Sequence, residues 1–181
     1  SACSQSSSIS EKALPFRQSA GTRLYLRPFG ITEHAHAFWN PYRYEQSFVT
    51  DAYAAFQGFD LLTFFAHPVS ITPAARIHPF TGMHDPVVYS QEFLSFFLFR
   101  RGDIRRASSG ISVKVKPEDV FSDIRNRGDL PERFTSLALV SGFAVDAGED
   151  SAKLRNGDIS FSLCGDESTA AMLDGLRKKG L

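Results

Sequence analysis

The feature that most constrains the fold is the apolar run LLTFFA at residues 61–66, in which polar and apolar residues do not alternate. A run of this kind is typical of a strand in a parallel sheet whose two faces are both covered. Parallel neighbours are joined by a crossover of a dozen residues or more, usually a helix. The run is therefore expected to be the second strand of a βαβ unit.

The residues upstream carry signals for the rest of that unit. Residues 24–33 predict a short strand that ends at Glu33. Asn40 as N-cap and Pro41 at the first helical position predict the start of a helix, and Gly58 predicts its end. Helical spacing assigns the buried face of this helix to four residues: Phe48, Ala52, Ala55 and Phe56.

A change of pattern after Gly102 indicates a second region. A helix is predicted from Val87 to Arg101, with Gly102 as its stop. Residues 111–116, ISVKVK, then alternate strictly, which predicts a half-exposed strand in an antiparallel-leaning region. Further strands are expected at 142–145 and 159–163, and a terminal helix is expected at 168–179.

These patterns divide the chain into three parts. Residues 1–21, which begin with a serine-rich run, are expected to be a flexible N-terminal segment. Residues 22–106 form the α/β region, and residues 107–181 form a β-rich C-terminal region.

Composition excludes several classes of function. Hydrophobic residues make up 43% of the chain and charged residues 22%, which indicates a folded protein. With 20 basic and 20 acidic residues the formal net charge is zero, so no general electrostatic case exists for binding nucleic acid or an anionic membrane. No apolar run is long enough to cross a membrane. The two cysteines are far apart and form no metal-binding motif, and no cofactor is implied.

Chemically versatile side chains are concentrated between Glu33 and Trp39. This stretch holds one carboxylate, two histidines (His34 and His36) and the single tryptophan. Catalytic groups of α/β barrels lie at the carboxyl ends of the strands, where Glu33 is expected and where His67 follows the next strand. The flat apolar face of Trp39 suits stacking against a sugar ring. The competing structural interpretation is that Glu33 only caps a helix or pairs with an arginine.

The ordered series ITEHAHAFWNPYRYEQ, AYAAFQGFDLLTFFAHPV and FLFRRGDI resembles the C-terminal part of a retaining glycoside hydrolase of the cellulase-like or β-galactosidase-like clan. The resemblance covers about residues 22–106. It implies the last βα units of an incomplete (β/α)8 barrel, with Glu33 as the nucleophile that attacks the anomeric carbon. It also implies a carbohydrate substrate, with His34, His36, Trp39 and His67 as substrate-binding residues.

The same resemblance implies that the catalytic pair is incomplete. A retaining enzyme needs a second carboxyl group about 5–5.5 Å from the first, acting as acid and then as base. In this clan that group follows strand four, and no Asn-Glu motif for it occurs here. The chain is therefore expected to be a fragment that is inactive alone and whose partner is the missing N-terminal barrel portion of its parent.

Two alternatives remain open at this point. The chain could be a non-catalytic carbohydrate-binding or interaction module that keeps the aromatic platform but hydrolyses nothing. The spacing His34-x-His36 also occurs in metal-dependent amidohydrolases, where two imidazoles of an extended segment reach one ion. That family needs further ligands from later strands, so no metal is predicted here.

Overall fold

A computed structural model describes residues 5–65, 85–116, 130–147, 159–163 and 168–178, which form a mixed α/β structure. The helices are α1 (Leu14–Ala20), α2 (Ala52–Gln57), α3 (Pro86–Ser95), α4 (Glu132–Thr135) and α5 (Thr169–Lys178). The strands are β1 (Gly30–His34), β2 (Leu61–Phe64), β3 (Gly110–Lys114), β4 (Gly142–Asp146) and β5 (Ile159–Ser162). Within the described ranges, no helix combines the length and hydrophobicity needed to cross a membrane.

The chain divides into two units whose boundaries differ from the expected ones. The first unit combines residues up to Phe16 with Gly30–Arg105, and the second combines Arg17–Phe29 with Arg106–Leu181. Residues 5–16, expected to be part of a flexible segment, pack within the first unit. Residues 22–29, expected in the α/β region, belong to the second, where the N–H of Tyr25 donates to the carbonyl of Val145 at 2.8 Å.

The first unit contains the predicted βαβ arrangement. Strands β1 and β2 pair in parallel, with Gly30 opposite Leu61. The connection between them is helical: a 3-10 turn (Arg43–Glu45), a π-helical turn (Ser47–Asp51) and then α2. Gly58 ends this helix with a left-handed φ of 67°, a conformation that favours glycine. The predicted strand order, connection and helix stop are therefore confirmed.

The prediction that both faces of β2 are covered is wrong. Leu61 and Thr63 are exposed, while Leu62 and Phe64 are half-buried, so the strand is not covered on both faces. Among the described residues β2 has one neighbouring strand, which leaves part of its apolar surface open to solvent.

The prediction of which residues form the buried face of the connecting helix is also wrong. Phe48 is 56% exposed, and Ala52, Ala55 and Phe56 are only partly buried. The buried positions of this segment are instead Ser47, Val49, Asp51, Ala54 and Gln57. The π-helical turn contains more residues than an α-helical turn, so it rotates the residues around it relative to regular helical spacing. The sequence pattern alone does not reveal that turn.

Helix α3 begins at a well-defined cap and confirms the second predicted helix. Asp85 accepts a hydrogen bond from the N–H of Val87 at 3.0 Å and also pairs with the guanidinium of Arg43. A π-helical turn at Phe96–Arg100 follows α3, and Gly102 adopts a φ of 81° beyond it. Arg43 thus connects the crossover helix to the start of α3.

The second unit is built around a three-stranded parallel sheet in the order β4-β3-β5. Strand β3 lies between the other two, and Val113 at its centre is fully buried. The core also contains side chains from the strands, from α4 and the 3-10 turn after it (Ser136–Leu139), and from α5: Ile111, Phe134, Leu137, Phe143, Met172 and Leu176. Met172 and Leu176 are four residues apart and so share one face of α5.

Two expectations for this unit are wrong. The sheet is parallel, not antiparallel, and β3 is buried along most of its length, not half-exposed. Ser112, the first polar residue of the alternating pattern, has no exposed surface, so the sheet face that carries it is covered at this position as well. The strands at 142–146 and 159–162 and the terminal helix at 169–178 confirm the elements predicted there.

Candidate functional site

Glu33 lies next to the last residue of β1, at the carboxyl end of the parallel pair β1–β2. Its side chain is exposed, and within the described part of the chain it makes no hydrogen bond or ion pair. A solvent-open carboxylate at this position can reach a ligand outside the sheet edge. His67, expected at the matching position after β2, lies outside the described residues.

His34 is turned toward the protein and engages both of its ring nitrogens. Its Nδ1 lies 3.0 Å from the carbonyl oxygen of Thr63, and its Nε2 lies 3.1 Å from Oδ1 of Asp51. A carbonyl and a carboxylate both accept hydrogen bonds, so each ring nitrogen of His34 faces an acceptor. His34 therefore has no ring nitrogen left for a ligand, and its role is to join β1 to the crossover helix.

Asp51 is the buried half of this pair. Its side chain has no exposed surface, and its Oδ2 has no hydrogen-bond partner among the described residues. A carboxylate taken this far out of water depends on its partner, because an uncompensated buried charge is strongly unfavourable. The ring centroids of His34 and Phe64 are also 4.7 Å apart, so Phe64 packs against the imidazole.

His36 faces the N-terminal segment. Its Nε2 lies 3.0 Å from Oγ of Ser8, and its backbone N–H donates to the side-chain oxygen of Gln46 at 2.7 Å. Burial lowers the pKa of His36 from its ordinary value of 6.5, while the backbone of Tyr42 and the carboxylate of Glu45 act in the opposite direction. The ring is therefore neutral at neutral pH and can both donate and accept.

An open cleft of about 230 Å³ lies beside His36. Its lining comes from the N-terminal segment and from the loop after β1: Gln5, Ser6, Ser8, Glu11, Pro15, Ala35, His36, Ala37, Trp39 and Asn40. Trp39 is 50% exposed and packs against the ring of Phe38 in an edge-to-face arrangement at 5.3 Å. The cleft thus presents one large aromatic surface beside several small polar groups.

Glu45 attaches the N-terminal segment to the rest of the first unit. Ser7 Oγ lies 2.9 and 3.0 Å from the two carboxylate oxygens of Glu45, and the N–H of Ile9 donates to Oε2 at 3.1 Å. Ser7 Oγ also accepts from the N–H of Ser10 at 3.0 Å. Glu45 and Ser7 are both buried. This cluster fixes the segment that forms one wall of the cleft.

The candidate residues named from the sequence are therefore only partly brought together. His36 and Trp39 line the same cleft, whereas Glu33 and His34 are not among its lining residues. The two imidazoles of His34-x-His36 bind different partners, Asp51 and Ser8. Within the described ranges, no group of three or more His, Cys, Asp or Glu side chains is placed to hold a metal ion.

The lowered pKa of His36 predicts a pH-dependent stability. A histidine whose pKa is lower in the folded state binds fewer protons there than in the unfolded state, so the free energy of unfolding falls as pH drops below about 6.5. We expect the wild-type chain to lose stability relative to His36→Gln over this range, by at most about 1.4 kcal/mol per pH unit. Urea unfolding at a series of pH values measures this difference, and parallel profiles for the two proteins would contradict it.

Comparisons with protein-family models, with curated proteins and with solved structures find no match to this chain.

Proposed function

We propose that the first unit binds carbohydrate in the cleft between His36 and Trp39, as part of a retaining glycoside hydrolase in which Glu33 is the nucleophile. The observation that carries the proposal is the half-exposed face of Trp39 in a cleft that also offers a hydroxyl, an amide and a neutral imidazole. One face of a sugar ring is apolar and suits the indole. Its hydroxyl groups suit Ser8, Gln5 and His36, each of which can donate or accept.

The size of the cleft agrees with a ligand of one sugar ring. Pockets that enclose drug-sized molecules have volumes of roughly 300–1,000 Å³, and this cleft has about 230 Å³. Because the cleft is open, further rings of an oligosaccharide can continue into solvent or along neighbouring parts of a longer protein.

The position of Glu33 supports the hydrolase part of the proposal. It stands at the carboxyl end of a parallel strand that continues into a helix, which is where (β/α)8 enzymes place catalytic groups. The helices of the first unit also expose aromatic side chains by about half or more: Tyr44, Phe48, Tyr89, Phe93 and Phe96. So much exposed apolar surface is expected of a unit that packs against further βα units.

In the proposed mechanism the Glu33 carboxylate attacks the anomeric carbon while the glycosidic C–O bond breaks and the leaving oxygen takes a proton from the acid/base. Water then hydrolyses the covalent glycosyl-enzyme and returns a proton to the acid/base. The acid/base is a carboxyl group supplied by the N-terminal barrel portion of the parent protein. The isolated chain is accordingly proposed to bind sugar without cleaving it. Labelling the longer parent with a mechanism-based fluoro-sugar tests the assignment, and a label on any residue other than Glu33 would refute it.

One observation favours a second candidate, a non-catalytic carbohydrate-binding module. Glu33 does not line the cleft that contains Trp39, so the aromatic platform and the carboxylate need not serve the same sugar ring. The two candidates differ in one respect only: a binding module takes up sugar with Trp39 and is never labelled at Glu33.

Replacing Trp39 by alanine is expected to weaken oligosaccharide binding at least about tenfold. Covering roughly half of an indole removes on the order of 100 Å² of apolar surface from water, worth about 2.5 kcal/mol. Isothermal titration with cellotriose and with lactose measures the loss. Tyr44→Ala is the matched control, because Tyr44 is 49% exposed but does not line the cleft. Equal binding by Trp39→Ala and wild type would refute the proposed site.

A further inference from the structure

The cleft has an unbalanced charge. Glu11 is the one acidic side chain among its lining residues, which include no lysine or arginine, and burial lowers the pKa of His36 so that its ring is neutral. The neighbouring Lys12 is exposed and does not line the cleft. The wall contributed by the N-terminal segment therefore carries a single negative charge that no lysine or arginine of the lining neutralises.

Glu11 is held in place by the same contacts that fix the segment. Its backbone N–H donates to the carbonyl of Ser7 at 3.0 Å, and its own carbonyl accepts from the N–H of Leu14 at 3.1 Å. Ser7 is in turn bound to the buried carboxylate of Glu45. The carboxylate thus stands on an anchored turn, which lowers the entropic cost of using it to bind a ligand.

The aromatic side of the cleft adds a second preference for positive charge. The face of an indole attracts cations through its quadrupole, and tryptophan does so more strongly than the other aromatic side chains. A carboxylate and an indole in one small cleft therefore select for a ligand that combines an apolar ring face with an ammonium group.

We infer that the ligand of this cleft is an amino sugar with a free ammonium group, which pairs with Glu11 while its ring stacks on Trp39. This inference rests on the proposed carbohydrate-binding function and specifies the class of sugar. Neutral and N-acetylated sugars of the same shape bind more weakly because they lack the charge, and sugars that carry carboxylates or sulfates are repelled by Glu11.

The expected selectivity is modest because Glu11 is exposed. Ion pairs in contact with solvent change binding by a few-fold, so a glucosamine trimer is expected to bind about three- to fivefold more tightly than an N-acetylglucosamine trimer. The preference should shrink as salt is added, because exposed charges are screened within about 10 Å at 0.1 M ionic strength.

The test uses three β-1,4-linked trisaccharides that differ only at C2: those of glucosamine, N-acetylglucosamine and glucose. Trp39 is the single tryptophan of the chain, so its fluorescence reports binding directly. Glu11→Gln is expected to remove the preference for the glucosamine trimer and Glu11→Lys to reverse it. Glu92→Gln, which changes an exposed carboxylate outside the cleft lining, is expected to leave the preference unchanged.

The outcomes separate this inference from the function on which it rests. If all three trisaccharides bind equally, or if Glu11→Gln keeps the preference, the inference fails while carbohydrate binding stands. If none of them changes the Trp39 signal or gives a titration heat, the proposed function fails and the inference fails with it. Binding of ethanolamine as tight as that of the glucosamine trimer would show that the ammonium alone suffices and would overturn the assignment to a sugar.

Discussion

Replacing Asp51 by alanine is expected to destabilise the first unit by about 3–5 kcal/mol, the usual cost of removing one partner of a buried ion pair. The Asp51 side chain is fully buried and that of His34 is only 11% exposed, so water cannot take the place of the missing carboxylate. Urea unfolding followed by Trp39 fluorescence measures the loss, since the single tryptophan lies in this unit.

Three variants show whether the cost arises from the buried charge. Asp51→Asn keeps a hydrogen-bond acceptor for His34, so it is expected to lower the free energy of unfolding by less than Asp51→Ala does. The double variant His34→Leu/Asp51→Leu leaves no unpaired charge and is also expected to cost less than the single alanine change. Asp103→Ala breaks the exposed pair with Arg101, which lies in the same unit as Trp39, and is expected to leave the stability of that unit nearly unchanged. An Asp51→Ala effect as small as that of Asp103→Ala would contradict the assigned role.

The elements that could be predicted from the sequence are those set by local signals. Gly58 ends the crossover helix because only a residue that tolerates positive φ fits there, and its identity is visible in the sequence. Asn40 likewise accepts a hydrogen bond from the N–H of Tyr42 at 2.9 Å, although the first regular helical turn begins at Arg43. Such signals act over a few residues and need no knowledge of the tertiary structure.

The elements that were predicted wrongly depend on what packs around them. The strict alternation of residues 111–116 indicates one exposed face, but Ser112 on that face is fully buried, so other parts of the protein cover it. The sequence at 47–51 shows no sign of the π-helical turn, which brings the polar residues Ser47 and Asp51 to the buried side. Their partners, Gln91 and His34, lie 44 and 17 residues away in the chain.

The sequence could predict where the candidate site lies but not all of the residues that line it. His36 and Trp39 share a short loop, so their proximity follows from their spacing. The rest of the cleft lining includes Ser8, which lies in a serine-rich stretch that resembles a flexible tail, and Glu11, which directly follows that stretch. Its attachment depends on Glu45, 38 residues from Ser7, and no local pattern marks that pairing.

Replacing Glu45 by alanine is expected to release the N-terminal segment and to weaken ligand binding in the cleft. The change removes hydrogen bonds from Ser7 Oγ and from the N–H of Ile9 to a buried carboxylate, and hydrogen bonds to charged groups are worth about 1.5–3 kcal/mol each. Hydrogen exchange at the amide of Ile9 should therefore accelerate strongly. The amides of β1 and β2 should be little affected, because their pairing does not involve this segment.

The attachment of the N-terminal segment to Glu45 is also expected to affect ligand binding in the cleft. Without it, Ser8 and Glu11 no longer form a fixed part of the cleft that contains Trp39, so Glu45→Ala should lose oligosaccharide affinity although Glu45 does not line the cleft. Glu45→Gln keeps one acceptor oxygen, so its oligosaccharide affinity is expected to lie between those of Glu45→Ala and the wild type. Glu33→Ala removes an exposed carboxylate that makes no hydrogen bond within the described residues, and its unfolding free energy should stay within about 0.5 kcal/mol of wild type. If Glu45→Ala exchanges the Ile9 amide at the wild-type rate, the segment is held by other contacts and the cleft wall does not depend on Glu45.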